Sequence, residues 1–184
     1  MRSSLTTETD WLLRKTGWRP VAVLLAAAWL VPVLIHLVPW AGSRPLGVHL
    51  LPVFWTTFVA VYFYGAWPGL LVGLVTPGVN LLITGLPAMS SAGAMSLEVA
   101  AFALIAAGMV NRWPGNRLAA PLAYAAAKGM VIALIWVCAA GEAENPLRHL
   151  ARSAQNGAAG LVVLGGINVL LARLCPRPDP WERE

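Results

Sequence analysis

Charge is what this sequence has least of. Lys, Arg, Asp and Glu together make up 11% of 184 residues, against about 25% in an ordinary soluble domain. A water-soluble globule is thereby nearly excluded, and with it a soluble enzyme built on a conventional core. The same shortage excludes disorder, since chains stay unfolded through low hydrophobicity and high charge. Cysteine is almost absent, and Cys138 and Cys175 form neither a CxxC pair nor a metal pattern. The sequence has no GxSxG elbow, HExxH, histidine box or P-loop. It therefore shows no recognisable hydrolase, zinc or nucleotide site, and the chain is not expected to hydrolyse ATP itself. Ser90, Ser91 and Ser96 have no base nearby in sequence. A non-enzymatic protein without metal or cofactor is expected. No internal repeat is visible, so the inverted-repeat plan of many secondary transporters gains no support.

What the sequence does have is apolar length. Hydrophobic residues make up 58% of it, and the mean hydropathy is +0.68. Six stretches approach the roughly 17–25 residues that cross a hydrocarbon core. They run from about Val21 to Val38, Leu46 to Tyr64, Trp67 to Leu86, Met95 to Val110, Leu118 to Ala140 and Gly157 to Leu174. The first follows a basic stretch, as a signal peptide would. It is long, however, and no small-x-small cleavage site follows it, so it reads as a membrane helix. The expectation is an all-α polytopic membrane protein with six transmembrane helices. The chain divides into an N-terminal cytoplasmic or interfacial segment (1–19), a six-helix domain (20–175) and a cytoplasmic tail (176–184). Trp11, Leu12, Leu13 and Trp18 fit either a short interfacial helix or a frayed end. Gly65-Ala66-Trp67-Pro68 reads as a tight turn, and Gly141 to Asn156 as the longest connection.

The net charge of +5 does not point to nucleic acid, because no hydrophilic run interleaves aromatic and basic residues. It fits basic loops on the cytoplasmic side. With the N-terminus inside, nine Lys or Arg lie inside (Arg2, Arg14, Lys15, Arg19, Arg112, Arg117, Arg173, Arg177 and Arg183) and three outside (Arg44, Arg148 and Arg152). Both termini are therefore expected in the cytoplasm. Cys138 and Cys175 then lie on opposite faces, too far apart for a disulfide.

Ionisable groups inside such segments are costly and usually face a cavity or a partner. Glu98 lies early in the fourth segment and Lys128 within the fifth. At 1.5 Å per residue, Glu98 falls about 5 Å below the outer surface and Lys128 near mid-membrane, roughly 10 Å apart in depth. A ligand or water bridges that gap more readily than a direct bond. A buried pair that orients two helices, or a snorkelling Lys128, remains the alternative. Asn80 follows Thr76-Pro77-Gly78, where the helix is expected to break against a cavity or to kink for packing. His36, His49, Arg44, Gln155 and Asn156 gather at outer ends of segments, and Trp40, Trp55 and Trp136 are available as aromatic walls or as interfacial anchors. Together they suggest a pocket open to the exterior. Ala22 and Ala26 form a flat stripe on the first helix, and Gly69 and Gly73 a similar one on the third.

The run LGVHLLPVFWTTFVAVYFYGAWPGLLVGLVTPGVNLLITGLP (46–87), followed by MSLEVAAFALIAAGMVNR (95–112), resembles the substrate-binding S components of energy-coupling factor (ECF) vitamin transporters. The shared features are an apolar second helix ending in aromatic-Gly, a tight Pro-Gly turn, a Pro-broken third helix ending in Thr-Gly-x-Pro, and a fourth helix starting near a Glu. The resemblance covers about 20–174. It implies a six-helix bundle with cytoplasmic termini in a bacterial or archaeal cytoplasmic membrane. It also implies a vitamin or micronutrient pocket near the outer face, under the loops after helices one, three and five. The implied partners are a membrane T component, contacted through the Ala-x-x-x-Ala spacing of Ala22 and Ala26, and two cytoplasmic ATPase subunits. By position Glu98, Lys128 and Asn156 match family pocket residues, with Asn80, His49 and Trp136 as further candidates. Arg2 stands where the cobalt and nickel members carry a His, and no cysteine lies in Gly85 to Ala94 for a cobalamin. A small polar or zwitterionic ligand, such as pantothenate, thiamin or a pteridine, would suit a mixed-charge pocket. A non-catalytic structural or assembly subunit is the competing reading.

Overall fold

The structure is a computed structural model that describes residues 18–42, 46–138 and 145–177. Arg2, Arg14, Lys15, Arg44, Glu142, Glu144, Arg183 and the proposed interfacial stretch at Trp11 to Leu13 lie outside the described residues. Within them the chain is all-helical: α1 (Trp18–Leu37), α2 (Leu46–Leu50), α3 (Pro52–Tyr64), α4 (Ala66–Thr84), α5 (Met89–Arg112), α6 (Ala119–Cys138), α7 (Pro146–Asn156) and α8 (Ala158–Leu174).

Helix α5 is the hub, packed against α3, α4 and α6. Its buried residues Val99, Phe102, Ala103, Ala106 and Val110 recur at the three- and four-residue spacing of one helix face. Across from it α6 buries Ala119, Ala120, Ala123, Tyr124, Ala127 and Val131. Alanine on both faces lets the backbones approach closely, which is how helices without a hydrophobic driving force between them associate. Helix α1 lies against α3 and α4, and α8 against α2, α3 and α6. The outer surface is apolar too: Leu82 is 86% exposed and Val162 76%. Helices apolar both inside and outside belong in lipid. Among the described residues three helices are long and apolar enough to cross a membrane (Ala66–Thr84, Met89–Arg112 and Ala119–Cys138). The pair α7 and α8, bent by 73°, makes a fourth if taken as one span.

Four details depart from the sequence expectation. The second segment is two helices, because Pro52 has no N–H to continue the ladder. Leu51 turns left-handed there (φ 55°), and α3 restarts with its proline in the first turn. Helix α4, by contrast, runs unbroken through Pro77. The Ser96 hydroxyl donates to the Leu74 carbonyl at 3.3 Å, so a neighbouring helix meets the ladder beside the proline. Helix α5 begins at Met89, six residues before the apolar run does, since Ser90, Ser91 and Gly93 hide its first turns from a hydropathy reading. Finally, the longest connection contains α7. Asn145 caps it, accepting from the Leu147 N–H at 3.0 Å, and Pro146 occupies its first position.

The tight turn at Gly65 is present: a single residue at φ 87° ends α3 and starts α4, a conformation glycine adopts without cost. The Gly69 and Gly73 stripe is spent inside the bundle. A Cβ on Gly69 would collide with Val61 Cγ2, and one on Gly73 would sit 3.0 Å from the Val99 carbonyl oxygen. Ala22 and Ala26 are exposed on α1, and Cys138 and Cys175 are exposed and free.

Two buried polar groups fasten the end of the bundle where α5 turns into α6. Asn168 on α8 is 2% exposed; it accepts from the Ala120 N–H at 3.3 Å and donates to the Asn116 carbonyl at 2.9 Å. It thereby satisfies an orphan N–H at the start of α6. The Tyr62 hydroxyl donates to the Cys175 and Leu171 carbonyls at 2.7 and 3.2 Å, closing the end of α8. Arg177 donates to the Tyr62 carbonyl and to Asn111 Oδ1.

Candidate functional site

A cavity of about 510 Å³ opens at the opposite end of the bundle. Helix periodicity delivers its walls. Ser91, Ala94, Met95 and Glu98 come from one face of α5, and Tyr124, Lys128, Ile132 and Ile135 from one face of α6. The break between α2 and α3 contributes Gly47, Val48 and Leu51 to Phe54, and α4 contributes Asn80. Leu86 and Pro87 enter from the turn after α4, and His149, Ser153 and Asn156 from one face of α7.

Glu98 and Lys128 meet directly. The ammonium donates to Glu98 Oε2 at 2.5 Å, with the Glu98 side chain 11% and the Lys128 side chain 13% exposed. The sequence reading separated them by about 10 Å, and the early start of α5 corrects it. Six extra residues move Glu98 about 9 Å deeper, to the level of Lys128 on the antiparallel neighbour. Lys128 Nζ also stands 5.9 Å from the centre of the Tyr124 ring, within cation–π range.

Asn80 is 1% exposed, and its Oδ1 has no hydrogen-bond partner among the described residues. Thr76, one turn earlier on α4, and Thr57 on α3 are buried with hydroxyls that have no partner among the described residues. A buried polar atom left unpaired costs about 1–3 kcal/mol, so this bundle holds polar capacity that its own fold does not use. No family model, no curated protein and no solved structure matches the chain.

Helix α7 closes one side. Tyr124 Oη and Ser153 Oγ are 3.1 Å apart in a hydrogen bond. The His49 Nδ1–H donates to the Asn156 carbonyl at 2.9 Å, pinning α2 to the bend between α7 and α8. Behind the bend Gly160 lies so near α2 that a Cβ would come within 2.5 Å of the Leu50 carbonyl.

Of the residues expected from sequence, Glu98, Lys128, Asn80 and Asn156 line the cavity together. His49 stands behind Asn156 and touches the site through it. Trp136 is 40% exposed and does not line the cavity. Trp40 packs its ring 6.2 Å from His49, and Trp55 packs on the core. The aromatic walls are instead Phe54 and Tyr124, edge to face at 4.9 Å. The signal for Tyr124 was its place four residues before Lys128, on the same helix face. Ser153 and His149 escaped because α7 was read as a loop. Among the described residues no three His, Cys, Asp or Glu side chains converge as metal ligands would.

Proposed function

We propose that this chain is the substrate-binding subunit of an ECF-type uptake transporter. In this reading it captures a vitamin-like micronutrient at the outer face of a bacterial or archaeal cytoplasmic membrane, and passes it on together with a T component and two cytoplasmic ATPase subunits. The observation that carries the reading is the cavity itself. It falls within the roughly 300–1,000 Å³ of small-molecule sites, and a buried charge pair, an Asn80 Oδ1 with no partner among the described residues, and Ser91, His149, Ser153 and Asn156 share its lining with aromatic and aliphatic side chains. Its cover also supports the reading, since Pro87, just after the third apolar segment, and α7, in the connection after the fifth, both line the cavity.

Six crossings with both termini inside belong to the same proposal. Besides the spans named above, α1 is a 20-residue apolar helix, about 30 Å long, and α2 with α3 makes the remaining one. Among the described residues Arg112, Arg117, Arg173 and Arg177 fall at the end opposite the cavity, and Arg148 and Arg152 at the cavity end. That asymmetry fits a cytoplasmic face away from the pocket. Exposed Ala22 and Ala26 leave α1 open to the T component.

The test is mass spectrometry of small molecules released from gently purified protein, joined to thermal shifts across a vitamin panel. A ligand that binds only the native state raises the melting temperature by mass action. Release of one micronutrient and a matching shift are expected. If nothing is released and no vitamin shifts melting, the reading fails. The competing reading, a ligand-free assembly subunit, draws on the direct Glu98–Lys128 bond, which a packing role alone would explain. It expects a stable complex with other subunits that persists without any small molecule.

A further inference from the structure

We infer that the cavity takes an uncharged ligand whose edge presents an adjacent hydrogen-bond donor and acceptor, as a lactam or ureide does, on an aromatic or apolar body. This rests on the ligand-capture reading above and narrows it. Glu98 and Lys128 neutralise each other at 2.5 Å, so the wall they form carries no net charge. An anionic ligand would have to draw Lys128 away and leave a buried carboxylate alone, and a cationic one would strand the ammonium. Separating such a pair is far more costly than leaving it closed.

Hydrogen-bonding capacity remains all the same. Among the described residues Lys128 spends one of its three N–H groups on Glu98, and Glu98 one of its two oxygens on Lys128. Asn80 Oδ1 is buried with no partner among the described residues. Donor and acceptor valences therefore stand side by side in one wall while the pair stays intact. A donor–acceptor edge fills them without moving charge. The rest of the ligand meets Phe54, Tyr124 and aliphatic side chains, which favour a flat apolar body, with Ser91, His149, Ser153 and Asn156 as further polar lining.

Binding of five bicyclic probes to the purified full chain, followed at pH 8 where an imidazole is uncharged, decides the matter. They are 2-quinolone (a neutral lactam), 1-methyl-2-quinolone (the same ring with its donor blocked), 2-naphthoate, 2-naphthylmethylammonium and zwitterionic L-tryptophan. The lactam is expected to bind at least tenfold tighter than each of the others. Glu98→Gln should swing the preference toward naphthoate and Lys128→Met toward naphthylmethylammonium. Opposite swings report on charge facing the ligand, which a purely structural pair would not produce. If either variant fails to fold, the wild-type series still decides. A charged or zwitterionic probe that equals the lactam overturns the inference, and so does an N-methyl group without effect. If no probe binds saturably while the purified protein still releases a small molecule, the ligand class is wrong and capture stands. If nothing is released either, capture falls with it.

Discussion

Replacing Lys128 by Met tests whether the buried pair carries the energetics assigned to it. The substitution keeps most of the stem and removes the charge, leaving Glu98 without the Lys128 bond, which is its one hydrogen bond among the described residues. Removing one member of a buried ion pair costs about 3–5 kcal/mol. Here the pair borders a cavity, and its side chains keep 11% and 13% exposure. Water entering the cavity relieves part of the penalty, which brings the expected loss to about 2–3 kcal/mol. For a chain of this size each kcal/mol moves the midpoint by roughly 2–4 °C, so Lys128→Met should melt about 4–12 °C lower. Glu98→Gln should behave alike, since it strands the ammonium. The double variant E98Q/K128M carries neither charge and should recover most of the loss, because replacing a whole buried pair by neutral groups is often nearly neutral. The assay is thermal unfolding of all four proteins in one detergent without added ligand, analysed as a double-mutant cycle. Single variants that melt within about 2 °C of the parent, or a double variant that loses the sum of both, would refute the argument.

Three further outcomes follow from the packing. Gly160→Ala places a methyl against the Leu50 backbone at about 2.5 Å; it should cost about 1–3 kcal/mol and weaken ligand binding by displacing α2, both readable in one thermal titration. Asn168→Ala removes two buried hydrogen bonds at the start of α6; a loss of about 1–3 kcal/mol is expected, with faster hydrogen exchange at the Ala120 amide. Tyr124→Phe keeps the ring packed on Phe54 but deletes the bond to Ser153; amides of α7 should exchange faster while those of α5 stay protected, with a stability loss of only about 0.5–1.5 kcal/mol.

Much of the site was legible at the level of residue type. Glu98, Lys128 and Asn80 stood out because polar groups are rare and costly in apolar helices, and all three line the cavity. The aromatic wall was not legible in the same way. Trp136 has the same chemistry as a wall residue, but it falls on the exposed side of α6, whereas Tyr124, twelve residues earlier, faces the pair. Choosing between them requires the helix phase relative to its neighbours, and a nearly uniformly apolar helix gives no amphipathic signal from which to read that phase. Helix α7 was within reach, since Asn145-Pro146 is a cap followed by a first-turn proline.

The sequence by itself determined the all-helical class, the affinity for a membrane and the short roll of polar residues that need partners. These follow from composition and from hydrophobic runs, which are properties of local chain. Only the tertiary structure decided which of those residues meet. The partner of Glu98 depends on where α5 begins, and that is set by Ser- and Gly-containing turns whose hydropathy is indifferent. A shift of six residues along a helix is about 9 Å, the difference between two charges that need a bridge and two that bond directly.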